Sequence, residues 1–283
     1  MSKNKISPTG PYAIQGYEGS FHQMAAQQFF GRNVEVIPCN TFEEVVKLAA
    51  DGKKNAGGIM AIENSIAGSI LPNYNLLQKS NLIVMGEIYL QIKQNLLVNP
   101  GIKLDEIREV HSHPMAIQQC FEFLDKHNWK LVETDDTALS AKQIHQHKSK
   151  HIAAIASRLA AELFELDILV PNIHSLKNNY TRFLVLQRPG REFEIPGANK
   201  ASISFQTDHS RGSLAKVLMK IADGGINLSK LQSFPISGSN FKYSFHADME
   251  FESREQFDEV IKKIRAVTEK IKIYGIYKKG LWK

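Results

Sequence analysis

The sequence predicts a mixed α/β chain of 283 residues in two parts, a two-lobed α/β domain over 1–188 and a ferredoxin-like βαββαβ module over 200–283. Three observations carry this. Short apolar runs alternate with helical patterns as far as residue 188. Residues 189–199 then place Pro189, Gly190, Pro196 and Gly197 among scattered charges without any apolar period, and read as a linker. Beyond it, strands of period two flank two helical stretches in the order strand, helix, strand, strand, helix, strand.

In the first part, strands are expected over 12–15, 34–38 and 58–62, with helices over 20–30 and 41–51 between them. The apolar run 82–98 is too long for one ordinary strand and is read as crossing between lobes. Strands 109–111, 129–133 and 151–156 follow, with helices over 114–127, 137–145 and 157–164. If the strand at 180–186 crosses back, lobe 1 takes about 10–85 plus 178–188 and lobe 2 about 86–177. That is a periplasmic-binding-protein-like arrangement, with a ligand cleft between the lobes. In the module, alternating Ala201, Ile203 and Phe205 give a strand, and a helix is expected over 212–223. A strand over 226–234, a turn at 237–240, alternating Phe241, Tyr243 and Phe245, a helix over 253–270 and a strand over 271–274 complete it.

The net charge of +6 is spread along the chain with no run of five or six basic residues, which argues against nucleic acid as a partner. Two cysteines, Cys39 and Cys120, cannot build a disulfide framework and suit a reducing compartment, the cytoplasm. The N-terminal stretch is polar, unlike an export signal, and no apolar run is long enough to span a bilayer, so no membrane partner is expected.

Thr181, Arg182 and Phe183 stand at the start of an apolar strand, where a buried strand would carry aliphatic residues. Either these residues form a site or the strand lies at a sheet edge facing water. Three segments read as strand-to-helix starts with free backbone N–H groups: GYEGSF at 16–21, IENSIAGS at 62–69 and HSHP at 111–114. Ordinary capping explains any one of them; together with Thr181 to Phe183 they point to a small dianion. Metal is not expected. His111 with His113, and His145, His147 and His151, lack the helical spacing of a zinc site. Cys120 falls on an apolar helix face and reads as a core thiol.

Taken in order, GYEGSF at 16–21, AIENSIAGSI at 61–70, HSHPMAIQQC at 111–120 and NNYTRF at 178–183 make the chain resemble the prephenate dehydratases. Ser213-Leu214, GINL at 225–228 and LQSFP at 231–235 resemble the ACT domain that follows in that family. With no helical chorismate mutase segment ahead of the first strand, the monofunctional form is expected. The resemblance implies conversion of prephenate to phenylpyruvate, carbon dioxide and water, without any cofactor. It makes Thr181 the group nearest to proton delivery, with Asn64, Ser65 and His113 in the surrounding hydrogen-bond network. Substrate contacts are expected from Gly19, Ser20, Phe21, Glu63, Ser112, Asn179, Arg182 and Phe183. Strand alternation puts Thr181 and Phe183 on one face and Arg182 on the other, so Arg182 either clamps an anion or braces a lobe, while Phe183 forms apolar wall. Cations belong on the pyruvyl carboxylate, because gripping the carboxylate that leaves would stabilise the ground state.

The resemblance also implies L-phenylalanine as effector at a subunit interface of a homodimer or homotetramer. Its binding residues would be Asp208, Arg211, Gly212, Ser213 and Leu214, with Leu231, Gln232, Ser233 and Phe234. Gln232 and Phe234 replace the acid and base of the family's Glu-Ser-Arg-Pro pattern, Ser213 stands where alanine is common, and Gln94 where histidine is. Two rival readings remain: arogenate dehydratase, which would present a carboxylate or carbonyl to the substrate's ammonium, and an amino-acid sensor without catalysis.

Overall fold

A computed structural model describes residues 10–51, 53, 55–190, 195–236, 238–239 and 242–282; the expected linker residues 191–194, turn residues Ser237 and Asn240, and strand residue Phe241 lie outside these. Lobe 1 contains β1 (Tyr12–Gln15), α1 (Phe21–Phe30), β2 (Val36–Cys39), α2 (Phe42–Asp51), β3 (Gly57–Asn64), β4 (Gly68–Ser69), α3 (Leu71–Lys79) and β5 (Ile83–Gln91). Lobe 2 contains β6 (Asn95–Val98), β7 (Glu109–Ser112), α4 (Pro114–Gln119), α5 (Phe121–Leu124), β8 (Lys130–Glu133), α6 (Thr137–Gln146), β9 (Ile152–Ala156), α7 (Arg158–Leu163) and β10 (Asp167–Val170). The chain then returns to the first sheet as β11 (Tyr180–Gln187).

The lobe 1 sheet runs β2-β1-β3-β11-β5 with β4 on β3, and the lobe 2 sheet runs β10-β6-β9-β7-β8. The apolar run over 82–98 is two strands in two sheets, so the chain crosses once at 92–94 and again between β10 and β11. The helix expected over 114–127 is interrupted at Cys120, whose ψ of 7° breaks the regular ladder. Burial pushes the Cys120 thiol up to about 12, which keeps it protonated and inert.

In the C-terminal module, β12 (Lys200–Gln206), α8 (Ser213–Asp223), β13 (Asn227–Pro235), β14 (Tyr243–Glu250), α9 (Arg254–Arg265) and β15 (Lys270–Tyr277) give an antiparallel sheet in the order β13-β14-β12-β15. The last helix stops at Arg265, not at 270; a turn over 266–269 follows, and the final strand begins at Lys270. Period two sends Ala201, Ile203, Phe205, Ala247 and Met249 to one face, where Val217, Ile221, Phe257 and Ile264 of the helices cover them. The opposite face carries Lys200, Ser202, His246 and Asp248, all buried, because it is pressed against lobe 1. Phe234, Tyr274 and Tyr277 share one apolar cluster with Tyr74, Leu77, Leu184 and Leu186 of lobe 1. β15 lies so close to β5 that a Cβ on Gly275 would stand 1.9 Å from the Val84 carbonyl oxygen.

Within lobe 1, His22 of α1 is buried between Phe42 and Phe183, with ring centroids 5.5 and 5.0 Å away, and its Nε2 has no partner among the described residues. Burial lowers its pKa from 6.5 to about 3. Between those values the unfolded chain binds a proton that the native chain refuses. The contribution of His22 to stability is therefore complete above pH 6.5 and falls as the pH drops toward 3. Urea melts at pH 7 and pH 4.5 are expected to show His22→Leu losing about 2–3 kcal/mol less than the parent chain over that range. Equal losses in the two proteins would place the ring in water.

Candidate active site

The end of β3 and the start of β11 meet at one polar corner, where Asn64 lies opposite Thr181. Asn64 Oδ1 accepts the backbone N–H groups of Ile66 at 3.0 Å and Ala67 at 2.9 Å. Two such donors fix which end of the amide is oxygen. Nδ2 therefore faces β11 and donates to Asn179 Oδ1 at 2.7 Å and Thr181 Oγ1 at 3.0 Å, with the Tyr180 carbonyl at 3.2 Å. Ser65 pins the same corner. Its hydroxyl donates to the Asn178 carbonyl at 3.0 Å and accepts the Tyr180 N–H at 2.9 Å.

The segment 62–69 is thus not a helix start. Its small polar residues build a turn that grips β11, and α3 begins only at Leu71, behind Ile70, which offers no side-chain cap. The other two starts are capped as expected. Ser20 accepts the Gln23 N–H at 3.4 Å while Gln23 Oε1 accepts the Gly19 N–H at 2.7 Å, and Phe21 leans on the lobe 1 core. His113 Nδ1 accepts the Met115 N–H at 3.2 Å, which puts any single ring proton on Nε2. Ser112 beside it is fully buried and donates to the Ile155 carbonyl at 2.7 Å, so it ties β7 to β9 and is spent as a ligand donor.

The two lobes touch through the loop before α1. Ser157 Oγ of lobe 2 donates to the Gly19 carbonyl at 2.6 Å. A Cβ on Gly16 would lie 2.6 Å from Asp136 Oδ2, and one on Gly19 would lie 2.9 Å from Ala160 Cα; both glycines hold positive φ, +91° and +88°. Asp136 caps α6 by accepting the N–H groups of Ala138 and Leu139 at 2.7 and 2.9 Å. Burial raises its carboxyl pKa, against the pull of those two N–H groups and of His113. Asp136 and Ser157 escape a sequence reading because each looks like any other N-cap.

Besides Ser112, three more expected ligand contacts are engaged elsewhere or buried. Glu63 takes the Lys230 ammonium of β13 at 2.5 Å and so faces the C-terminal module. Arg182 is buried on the sheet face opposite Thr181, where Glu87, Asp248 and Tyr277 occupy its guanidinium. Phe183 shares the face of Thr181 but is 1% exposed among Tyr12, Ile14 and His22, since α1 covers that part of the sheet, so it is core and not cleft wall. In the module, Asp208, Arg211, Ser213 and Leu214 line a cavity of about 310 Å³ with Tyr243 and Phe245. Gly212, at φ +79°, makes the sharp entry into α8. Leu231, Gln232 and Ser233 lie on β13 outside that lining, and Phe234 is buried against Tyr74, with ring centroids 5.7 Å apart. No helix of the described residues is long and apolar enough to cross a membrane.

A two-lobed α/β domain with a hydroxyl and amide corner on the strand that rejoins the first sheet, backed by a βαββαβ module, fits the class of two-lobed proteins that bind small molecules. The prephenate dehydratase family matches residues 12–191, and the chain belongs to that family, whose members are hydro-lyases. The bifunctional chorismate mutase/prephenate dehydratase of Buchnera aphidicola subsp. Acyrthosiphon pisum is 32% identical over 97% of this chain and 72% of its own. A chloroplastic arogenate dehydratase/prephenate dehydratase 2 of Arabidopsis thaliana is 37% identical over 84% of this chain and 64% of its own. Among solved structures, GqqA, described as a novel type of quorum quenching acylase, superposes with a TM-score of 0.85 at 29% identity, covering 95% of this chain and 97% of its own. The prephenate dehydratase of Arthrobacter aurescens in complex with L-Phe superposes with a TM-score of 0.83 at 25% identity, covering 95% and 90%.

Proposed function

We propose that the chain converts prephenate to phenylpyruvate, water and carbon dioxide, with the Thr181 hydroxyl as proton donor to the departing hydroxide. The observation that carries this is the orientation of Asn64. Its amide donates to Thr181 Oγ1, so the threonine's own hydrogen is left for another acceptor, and the accepted bond polarises the O–H. As the bond from ring carbon to carboxylate breaks, its electron pair enters the ring and the hydroxide leaves with the threonine proton. Thr181 then regains a proton from solvent. Asn179 Nδ2, fully buried beside this corner and without a partner among the described residues, is the donor proposed for the substrate's oxygens.

A nucleophilic threonine, as an amide hydrolase would use, needs a base at its hydroxyl. Here the hydrogen-bond partner of that oxygen is a donor, which favours dehydration. The name of the Arabidopsis relative keeps arogenate as a second substrate. Purified protein is to be incubated with prephenate and, separately, with arogenate, following phenylpyruvate by its ultraviolet absorbance and phenylalanine by chromatography. Turnover of prephenate is expected; inertness toward both acids overturns the reading.

L-phenylalanine is proposed as effector in a dimer. Within one chain the 208–214 loop and the exposed part of 231–233 do not line the same cavity, and β13 pairs only with β14 among the described residues, leaving its outer edge for a second subunit. Closure of the cleft is also open to test. Gly19→Ala forces a Cβ into Ala160 and strains a positive φ, and it is expected to lower kcat/KM about 10²-fold by holding the lobes apart. Steady-state kinetics beside an unchanged circular dichroism spectrum checks this.

A further inference from the structure

The residues on both sides of Thr181 are held by the C-terminal module. On one side, Trp282 of the tail stacks on Tyr89 at 4.4 Å and meets the Tyr180 ring edge-on at 5.0 Å. On the other, the Arg182 guanidinium joins Glu87 of β5 at 2.7 Å, Asp248 of β14, and the Tyr277 hydroxyl of β15 at 3.1 Å. Lys200 of β12 donates to both Glu87 oxygens at 3.0 Å, and the Gly280 N–H donates to Glu87 Oε1 at 3.0 Å. Asp248 also accepts the Ser202 hydroxyl at 2.5 Å, and Ser202 meets the Tyr277 hydroxyl at 2.6 Å. Arg182 and Lys200 thus face the fully buried Glu87 and Asp248 carboxylates, with the partly exposed Glu250 carboxylate 3.7 Å from Lys200.

The backbone is distorted at the same place. The pairing of β11 with β3 slips between Arg182 and Phe183, where Ile62 is an extra residue in β3, while β11 keeps an unbroken register with β5 from Tyr180 to Val185. Such a bulge bends the strand that carries it, here the end of β3 that brings Asn64 opposite Thr181. Lobe 1 alone offers Glu87 as an ionic partner for Arg182; the other carboxylate and the phenol come from the module.

We propose that Arg182, through Asp248 and Tyr277, and Tyr180, through Trp282, are positioning residues by which the C-terminal module sets the Thr181 hydroxyl in the cleft. This rests on the role of Thr181 given above. The strand that supplies Asp248 also lines the 310 Å³ cavity through Tyr243 and Phe245, so one rigid strand joins the wall of that cavity to the support of Thr181.

The test uses the full chain with Asp248→Asn and Trp282→Ala, each alone and combined with Thr181→Val. Trp282 is 58% exposed, so its variant keeps the test open should Asp248→Asn fail to fold. Trp282→Ala is expected to lower kcat about threefold to tenfold and Asp248→Asn more than tenfold, with KM within about twofold, since the hydroxyl matters most as the bond breaks. In the Thr181→Val background neither substitution should lower kcat further, because there is no hydroxyl left to misplace. Native-state hydrogen exchange should quicken at the amides of 180–182 and stay unchanged in β9. Parental kcat in both variants, or the same fold loss with and without the threonine, overturns the proposal. A parent chain inert toward prephenate and arogenate would instead refute the role of Thr181; the exchange pattern would then decide whether the module still fixes this strand.

Discussion

Thr181→Val is expected to lower kcat for prephenate by about 10²–10⁴-fold with KM within a few-fold, the loss typical of a removed general acid. Valine matches threonine in shape and β-branching, so the strand keeps its backbone and side-chain volume. The Asn64 amide loses one acceptor but keeps Asn179 Oδ1 and the Tyr180 carbonyl. What disappears is the O–H that the Asn64 bond polarises. Ultraviolet detection of phenylpyruvate over a range of prephenate concentrations separates the two kinetic constants. An unchanged kcat would assign the proton to another group, and a raised KM alone would make Thr181 a binding residue.

The largest stability effect is expected at the next position. Arg182→Met should cost about 3–5 kcal/mol, because the buried Asp248 and Glu87 carboxylates lose the cation they share. Burial opposes charge on both Arg182 and Asp248. Their mutual attraction nevertheless holds the guanidinium pKa well above, and the carboxyl well below, its ordinary value. Because the Asp248 carboxyl is depressed in the native state, its contribution is present above the ordinary aspartate range and is lost as the pH falls through and below it. Adding Asp248→Leu to Arg182→Met should recover part of the loss, since Glu87 still pairs with Lys200 and no carboxylate stands alone. Urea melts of the parent, single and double variants decide this; a single variant as stable as the parent would mean that water reaches the cluster.

The fold class was legible because hydrophobic periods of two and of 3.6 are local. So were the change of sheet inside 82–98 and the face on which Arg182 lies. The destinations were not. Alternation says that Arg182 leaves the face of Thr181, but nothing in the neighbouring sequence says that a carboxylate 66 residues later will meet it. The polar face of Lys200, Ser202, His246 and Asp248 has the same period whether it meets water or a second charged surface. The corner at Asn64 and Ser65 reads as a helix start because the side chains that cap helices also build turns. Alternation gives the face on which Phe183 lies but not its depth, which depends on where α1 crosses the sheet.

The shared apolar cluster of Tyr74, Leu184, Phe234 and Tyr274 makes the last eighty or so residues part of one cooperative body with lobe 1. A shortened chain ending near the linker would bare Leu184 and Tyr74 and leave Arg182 with half its counter-charge. Cutting the module away is therefore expected to destabilise lobe 1 itself, so its influence on the first domain has to be probed by substitutions that leave the seam intact.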